Sequence, residues 1–372
     1  MPDQLESYGE ANYLKGGIVY SDMVTTVSKS YAQEITTPEG GEGLDGLLRA
    51  KSDHLYGIVN GIDYDKYDPV TDQRIGTHFD KMNVVKMKPA NKAGLQEELG
   101  LPKEEDAFLI GIVSRMTVQK GMDLIAYVMD ELLGDKKIQF AVLGTGEERF
   151  ENMFRHFAWK YERQMGVCLQ YSEDLAHRIY AGADAFLMPS MFEPCGLSQL
   201  MSMRYGTVPM VRETGGLKDT VEAYNEFEHT GTGFSFHNYN AHEMLYMIRY
   251  ACKIYFGYPE EWEGIIHRGM AMDYSWAASA SKYAEIYEGL YVRSEKDRAQ
   301  ELEWQKELEE RDQKRLEAEL RVKLMLEAEA AEREAELQRM EAAAKEAEAK
   351  TKETVKPKAK PAAKTKTNNK KK

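Results

Sequence analysis

The segment 189–218 constrains the fold and the chemistry of this chain more than any other part of the sequence. It follows a short apolar run, 185–188, which predicts a buried strand. A carboxylate, Glu193, and a glycine, Gly196, then precede a predicted helix, and a second apolar run leads to the glycine pair after Thr214. In a parallel sheet this pattern brings a carboxylate and backbone N–H groups to the carboxyl ends of neighbouring strands, where open α/β sheets bind ligands.

Short apolar runs alternate with segments of helical length upstream of this site segment. Strands are predicted at 107–113, 139–143 and 168–171, and helices at 122–133, 149–161 and 176–181. Such alternation favours a parallel sheet with helices on both faces. The predicted fold class is therefore α/β, with one complete Rossmann-like domain.

Composition divides the 372 residues into predicted parts. The first holds α/β material, but too little for a full doubly wound domain. The second is a polar linker with a helix at 91–99. In chain order the predicted parts are a partial domain (1–69), the linker (70–104), the Rossmann-like domain (105–275), a cross-over helix (276–292), a charged helical extension (293–355) and a Lys-rich tail (356–372).

The extension is dominated by Glu, Lys, Arg, Ala and Gln. Acid-first pairs four residues apart, such as Glu310 with Lys314 and Glu319 with Lys323, predict a long solvated helix. Its leucines do not keep a steady heptad spacing, so a coiled coil is compatible with the pattern but not required by it. The final Lys-rich residues contain no acids and predict a disordered tail.

Charge and cysteine usage exclude several classes of function. The formal net charge of −13 does not favour nucleic acid as a partner. We see no run long enough to cross a bilayer and no charged-then-apolar signal at the start, so a cytoplasmic location is expected. The three cysteines, Cys168, Cys195 and Cys252, lack CxxC spacing and are predicted to be reduced thiols. No metal site and no cofactor are predicted.

Charged side chains follow two of the predicted strands. Arg115 follows the strand at 107–113, and Lys120 stands just before Gly121 and a helix. Glu193 stands directly before Pro-Cys-Gly at a helix start. From spacing alone, the two cations are equally compatible with an anion site or with ordinary surface positions. Glu193 favours a ligand contact over its alternative, an acid that interacts with the helix dipole.

Two weaker signals follow the other predicted strands. Gly144 and Gly146 follow the strand at 139–143, and such a Gly-Thr-Gly usually marks a tight turn. Tyr171 ends the strand predicted at 168–171, where an aromatic ring could stack on a base. A half-buried core tyrosine is the alternative that the sequence alone favours.

Several long motifs resemble the bacterial glycogen synthase and plant starch synthase family, from about residue 13 to residue 291. They include YLKGGIVYSDMVTTVSKSYAQEI, GIVNGIDYDKYDPVTD, SRMTVQKG and PSMFEPCGLSQLMSMRYGTVPMVRETGGLKDTV. The resemblance implies a GT-B fold, in which two Rossmann-like domains face each other across a cleft. It also implies retaining transfer of glucose from ADP-glucose to the non-reducing end of an α-1,4-glucan, without a metal.

The resemblance also implies roles for individual residues. Arg115 and Lys120 correspond to cations on the donor phosphates and Glu193 to the carboxylate at the sugar, and these three are the expected catalytic residues. Tyr171 is expected against the base, and Thr214, Gly215 and Gly216 around the distal phosphate. The complete expected substrate-binding set is Gly144, Gly146, Tyr171, Ser190, Pro194, Cys195, Gly196, Leu197, Ser198, Thr214, Gly215 and Gly216.

The family pattern is incomplete in one respect. The family opens with a Lys-x-Gly-Gly-Leu loop, whereas Lys15-Gly16-Gly17 is followed by Ile18 and belongs to another segment. We therefore expect that most of the N-terminal domain is lacking and that this polypeptide alone does not elongate glycogen. A non-catalytic module that binds nucleotide sugar or glucan, and another GT-B nucleotide-sugar transferase, are the alternatives. Base preference and oligomeric state stay open.

Overall fold

The computed structural model describes residues 4–7, 9–290 and 295–353. The chain divides into two compact units, 1–290 and 291–372, and each is described by itself. The strands of the first unit are β1 (Glu6–Ser7), β2 (Glu10–Ala11), β3 (Val24–Thr26), β4 (Leu55–Gly57), β5 (Phe108–Val113), β6 (Ile138–Leu143), β7 (Met165–Cys168), β8 (Ala185–Met188), β9 (Val208–Arg212) and β10 (Phe234–Phe236). Its helices are α1 (Tyr13–Tyr20), α2 (Lys29–Glu34), α3 (Asp45–Ala50), α4 (Val84–Glu98), α5 (Met122–Leu132), α6 (Glu148–Lys160), α7 (Glu173–Gly182), α8 (Ser198–Arg204), α9 (Gly215–Thr220), α10 (Ala241–Gly257), α11 (Pro259–Ala271) and α12 (Trp276–Leu290).

A six-stranded parallel sheet organises the first unit, in the order β10-β9-β8-β5-β6-β7. Numbered by their own succession, these strands have the order 3-2-1-4-5-6 of a Rossmann fold, read from the opposite edge. The order reverses between β5 and β8, and ligands bind such sheets outside the carboxyl ends of the strands at this switch point. The α/β prediction is confirmed.

Apolar patterning explains why these segments form strands and helices. Every residue of β6 is buried, as expected for a strand covered on both faces. α5 buries apolar residues three and four positions apart, which is one face of a helix. The predicted strand at 168–171 is wrong, because β7 spans Met165–Cys168 and pairs Met165 with Phe140. Residues 169–171 therefore belong to the loop before α7.

The predicted irregular linker contains a fifteen-residue helix, α4, that packs against α7. The helix predicted at 91–99 was too short, because α4 begins at Val84 and continues through Pro89. The buried amine of Lys88, one residue before the proline, attaches this helix to its neighbours. Its Nζ donates to the carbonyls of Tyr180 (3.1 Å), Ala181 (2.9 Å) and Tyr205 (3.0 Å) and to Oγ1 of Thr207 (2.6 Å). Lys88 thus binds carbonyl groups at the ends of α7 and α8.

The segment before α4 is attached to the rest of the domain through the buried carboxylate of Asp72. Asp72 accepts hydrogen bonds from Nδ1 of His177 and from the hydroxyl of Tyr205, both at 2.6 Å. All three residues are buried, and the ring of Tyr67 stacks on that of His177 at 4.6 Å. This network attaches the segment to α7 and to the end of α8.

The first sixty residues form a small layer of their own. β3 and β4 pair in parallel, and α2 packs against α9 of the large sheet domain. Tyr13, Leu14 and Tyr20 are largely exposed. The segment therefore contributes few residues to the core but lies against the end of the sheet that carries the site.

The second unit contains one long helix, α13 (Glu295–Glu353), which confirms the helix predicted there. Lys314 lies 3.8 Å from Glu310, one of the acid-first pairs. A coiled coil stays a prediction. The Lys-rich tail lies outside the described residues.

Three expectations from the sequence concern membrane helices, thiols and metal sites. Among the described residues, no helix combines the length and the apolar character needed to cross a membrane. Cys168, Cys195 and Cys252 are free thiols, and the latter two are buried. In the same described ranges, no cluster of His, Cys, Asp and Glu has the arrangement of a metal site.

Replacement of Lys88 by Met should destabilise the first unit by about 3 kcal/mol, because it leaves buried carbonyl groups without a donor. Burial lowers the pKa of Lys88 to about 7, so above this pH the folded chain binds fewer protons than the unfolded chain. The stability difference between the native chain and Lys88→Met should therefore grow between pH 7 and the ordinary lysine pKa.

Denaturant unfolding at several pH values measures this difference. Lys86→Met is the matched control, because Lys86 lies on the same helix and is exposed. It should change the free energy of unfolding by no more than about 0.5 kcal/mol. Equal effects of the two substitutions would contradict the role of Lys88.

Candidate functional site

A cavity of about 220 Å³ lies at the switch point between β5 and β8. The turn after β5 contributes Arg115 and Lys120, the loop after β8 contributes Ser190, and Ser198 begins α8. The structure therefore brings together four of the predicted site residues. The complete lining is Val113, Ser114, Arg115, Lys120, Met122, Leu187, Met188, Pro189, Ser190 and Ser198.

A larger cavity, of about 450 Å³, lies at the amino-terminal ends of the strands, opposite to the first cavity. Its cations are Lys88 and Lys92, which are both buried. Lys92 forms an ion pair with Asp184 at 2.7 Å, and Lys88 is surrounded by carbonyl groups. Because these amines already have acceptors, the smaller cavity has the better provision for an anionic ligand.

The buried carboxylate of Glu193 is paired with Lys120. Oε2 of Glu193 lies 2.5 Å from Nζ of Lys120 and accepts a hydrogen bond from Oγ of Ser190 at 3.0 Å. Glu193 is 7% exposed, so the ammonium offsets the cost of burying its charge. Within the described residues, Oε1 of Glu193 has no protein donor.

A tight turn sets this pairing. Gly121 has φ +76°, and a Cβ atom there would lie 2.2 Å from the carbonyl oxygen of Pro189. The turn that carries Lys120 is therefore in direct backbone contact with the loop that leads to Glu193. Only glycine permits both the left-handed conformation and this approach.

The carbonyl groups of residues 193–196 all have protein donors. The carbonyl of Glu193 accepts from the N–H of Gly216 at 3.0 Å, and that of Pro194 accepts from Oγ of Ser28 at 2.6 Å. The side chain of Gln199 donates through Nε2 to the next two carbonyls. These belong to Cys195 (3.1 Å) and Gly196 (2.9 Å).

These contacts determine where the N–H groups of the loop point. In a planar trans peptide the N–H is directed opposite to the C=O of the preceding residue. The N–H groups of Cys195, Gly196 and Leu197 therefore face away from Ser28 and Gln199. None of them has a protein acceptor among the residues that the structure describes. We call these three N–H groups the nest, because successive backbone N–H groups of this kind bind anions in proteins.

The Thr214 turn is bound by a side chain from another part of the chain. Thr214, Gly215 and Gly216 were expected to surround a phosphate, but their donors already have protein acceptors. Glu34 accepts from the N–H of Gly215 at 2.7 Å and from Oγ1 of Thr214 at 3.1 Å. The N–H of Gly216 is bound to the Glu193 loop. The turn is therefore bound by a carboxylate that is distant in sequence, and its role around a phosphate stays a prediction.

The glycines after β6 support the site from the side. Gly144 has φ +155°, and a Cβ atom there would lie 1.8 Å from the carbonyl oxygen of Ser114. A Cβ atom on Gly146 would lie 2.3 Å from the carbonyl oxygen of Met116. Both glycines therefore allow the turn after β6 to contact the segment that carries Arg115. Tyr171, in contrast, is 88% exposed and lies in the loop before α7.

Two further side chains at the site were not predicted from the sequence. Arg212 ends β9, and its NH1 donates to the carbonyl of Met191 at 2.6 Å. Glu34 ends α2 and binds the Thr214 turn. The motif around Arg212 contained a signal, a cation at a strand end. No local signal connected Glu34 to residues near 214.

The thiol of Cys195 is not suited to nucleophilic chemistry. It is 7% exposed, and burial raises the pKa of this thiol above its ordinary value. Only the thiolate is a good nucleophile. Cys195 therefore contributes its backbone N–H and its packing volume to the site.

Replacement of Gly196 by Ala should destabilise the chain by about 2 kcal/mol, because φ at this position is +68°. A Cβ atom there would lie 2.4 Å from Oε1 of Gln199, so the substitution also displaces the side chain that binds the loop carbonyls. Chemical unfolding measures the loss. Gly94→Ala in α4 is the matched control, because nothing lies within 4 Å of its Cβ position. It should stabilise the helix by up to about 1 kcal/mol, and a similar gain for Gly196→Ala would contradict the prediction.

The chain is similar to known glycosyltransferases. A family model described as the starch synthase catalytic domain matches residues 1–50, and one described as glycosyl transferases group 1 matches residues 97–260. A glycogen synthase from Lachnospira eligens is 62% identical over 288 residues, which are 77% of this chain and 60% of that protein. A glycogen synthase from Geobacillus stearothermophilus is 50% identical over 293 residues, 79% of this chain and 60% of that protein.

A solved structure extends the comparison to three dimensions. The catalytic domain of starch synthase IV from Arabidopsis thaliana, bound to ADP and acarbose, has a TM-score of 0.71 and 36% identity. The match covers 77% of this chain and 60% of that one. The chain thus spans about three fifths of the length of the relatives that it matches. Over that length, it belongs to the family of bacterial glycogen synthases and plant starch synthases.

Proposed function

We propose that this chain acts in retaining transfer of glucose from ADP-glucose to the non-reducing end of an α-1,4-glucan. The nest at residues 195–197, beside a cavity lined by Arg115 and Lys120, is the observation that carries the proposal. Relatives at 50–62% identity are named glycogen synthase, and the plant relative was solved with ADP and acarbose. These names support a nucleotide-sugar donor and a glucan acceptor.

The charged groups of the cavity fit the leaving group of this reaction. When the bond from glucose C1 to the diphosphate breaks, negative charge develops on the phosphate oxygens. Arg115 and Lys120 supply positive charge there, and the N–H groups of Cys195, Gly196 and Leu197 supply preorganised donors. We assign these residues to the diphosphate.

Glu193 is suited to orient the glucose. Because Oε2 is bound by Lys120 and Ser190, Oε1 is left to accept hydrogen bonds from sugar hydroxyls. The hydroxyl of Ser198 accepts from Tyr180 at 3.2 Å and keeps its own proton for a donor contact in the cavity. Tyr171, being exposed, offers a ring on which the base can stack.

The supporting residues have different roles. Ser190 and Pro194 hold Glu193 and its loop, through the contacts to Oε2 and Ser28. Gly144 and Gly146 line the neighbouring turn. We propose no nucleic acid, membrane or metal as a partner, and a cytoplasmic location in keeping with the free thiols. The acceptor, a glucan such as glycogen, would approach the cavity from solvent.

Binding without catalysis is the alternative that an experiment must separate. Calorimetry with ADP tests the donor site, and incorporation of labelled glucose from ADP-glucose into glycogen tests transfer. Both are run with and without a separately expressed N-terminal domain from a family member. Incorporation in either condition supports the synthase. ADP binding without incorporation in both would indicate a binding module, and no ADP binding would contradict the proposal.

Arg115→Met should weaken ADP binding about tenfold, because a hydrogen bond to a charged group contributes about 1.5–3 kcal/mol. Stability should be unaffected, since Arg115 is exposed and its nearest partner, Oε1 of Gln119, lies 3.4 Å away. Arg155→Met is the matched control, because this exposed arginine pairs with Glu151 on α6. Calorimetry measures the ADP affinity of both variants, and equal affinities would contradict the assignment of Arg115 to the diphosphate.

Removal of the residues after Tyr291 should leave ADP affinity and glucose incorporation unchanged. The described side chains of α13 are exposed almost throughout, and neither a cavity nor a turn interrupts the helix. The measurement is the same pair of assays on the shortened and the full chain. A large drop in incorporation with soluble glycogen would show that the extension positions the acceptor.

A further inference from the structure

Helix α2 lies behind the proposed donor site and is fastened to it at both ends. Ser28, which caps the helix, donates to the carbonyl of Pro194 at 2.6 Å. Ser30 donates to Asp219 of α9 through its N–H (3.0 Å) and its hydroxyl (2.6 Å). Glu34 ends the helix and binds the Thr214 turn. None of these side chains lines the cavity of the proposed reaction.

Among these contacts, the hydrogen bonds to the Glu34 carboxylate are the strongest. Its carboxylate receives the backbone N–H of Gly215 and the hydroxyl of Thr214, at 2.7 and 3.1 Å from Oε1. Thr214 is 3% exposed, so its hydroxyl has little access to water as an alternative acceptor. Without Glu34, two partly buried donors would lose their acceptor, which costs more than the hydrogen bonds themselves contribute.

The Thr214 turn, which Glu34 binds, also contacts the main chain of Glu193. The N–H of Gly216 donates to the carbonyl oxygen of Glu193 at 3.0 Å. Gly215 has φ +44°, and a Cβ atom there would lie 2.1 Å from the same oxygen. Because the two backbones touch, a displacement of the Thr214 turn must displace the main chain of Glu193.

We propose that Glu34 is a positioning residue that fixes the Thr214 turn and, through it, the carboxylate and the N–H nest of the donor site. The inference rests on the proposed function where it concerns ADP, and on geometry alone where it concerns the loop. Glu34 itself does not line the cavity. It acts through Gly215 and Gly216.

Glu34→Ala in the full chain should weaken ADP binding about tenfold, as expected for the loss of a charge-assisted hydrogen-bond pair behind the site. Glu34→Gln should restore affinity to within about threefold of the native chain, because an amide oxygen still accepts from Gly215. Glu39→Ala is the matched control, since Glu39 is exposed a few residues further along the chain. Native affinity in Glu34→Ala would overturn the proposal.

Alkylation of Cys195 supplies a readout that does not depend on ADP. This thiol is 7% exposed and lies in the loop that Glu34 supports, whereas the buried thiol of Cys252 lies on α10. In Glu34→Ala, iodoacetamide followed by peptide mass spectrometry should show a rise of about tenfold in the Cys195 rate, in keeping with the opening of a locally stabilised segment. The Cys252 rate should stay unchanged.

The two readouts separate failure of the inference from failure of the proposed function. If the native chain does not bind ADP, the proposed function fails, and the Cys195 rate alone decides the role of Glu34. A selective rise at Cys195 that Glu34→Gln reverses supports positioning. An unchanged Cys195 rate, or an equal rise at Cys195 and Cys252, would overturn it, because the latter indicates general loosening.

Discussion

The site depends on a single constraint, which is that the carbonyl groups of residues 193–196 all have protein donors. A buried carbonyl without a donor is costly, so these contacts hold the loop in one orientation. Peptide planarity then directs the N–H groups of Cys195, Gly196 and Leu197 the other way. Because the donors for these carbonyls come from α2, α8 and α9, the site requires that these helices be packed together.

Lysine has different roles at the two ends of the sheet strands. At the amino-terminal ends, Lys88 and Lys92 are buried, and their amines donate hydrogen bonds to carbonyl groups and to Asp184. These lysines attach α4 to the domain and leave little charge for a ligand. At the carboxyl ends of the strands, Lys120 has one carboxylate partner and Arg115 is exposed. The capacity to bind an anion therefore follows from which donors remain free, not from the size of the cavity.

The sequence was informative wherever the signal was local. The apolar runs predicted β8 without error and placed Arg115, Lys120 and Glu193 at strand ends, since strand burial and turn chemistry are encoded within a few residues. Local signals failed for β7, whose short run allowed a shift of three residues. They failed at the start of α4, which begins at Val84 and contains Pro89, within a segment whose polar composition favoured a linker. They could not reveal Glu34, because its contact with Gly215 joins residues 181 positions apart.

The pairing of Lys120 with Glu193 links the stability of the site to its chemistry. A buried carboxylate without a partner would be strongly destabilising, so an empty site needs the ammonium close to Glu193. An ammonium has three N–H donors, and the carboxylate uses only part of this capacity. A diphosphate in the cavity could therefore share Lys120 with Glu193, without leaving the carboxylate unpaired. In the proposed reaction, the same ammonium would offset the burial of Glu193 and stabilise the charge that develops on the leaving phosphate. The close contact of the Gly121 turn with the loop after β8 brings Lys120 to the position that both roles require.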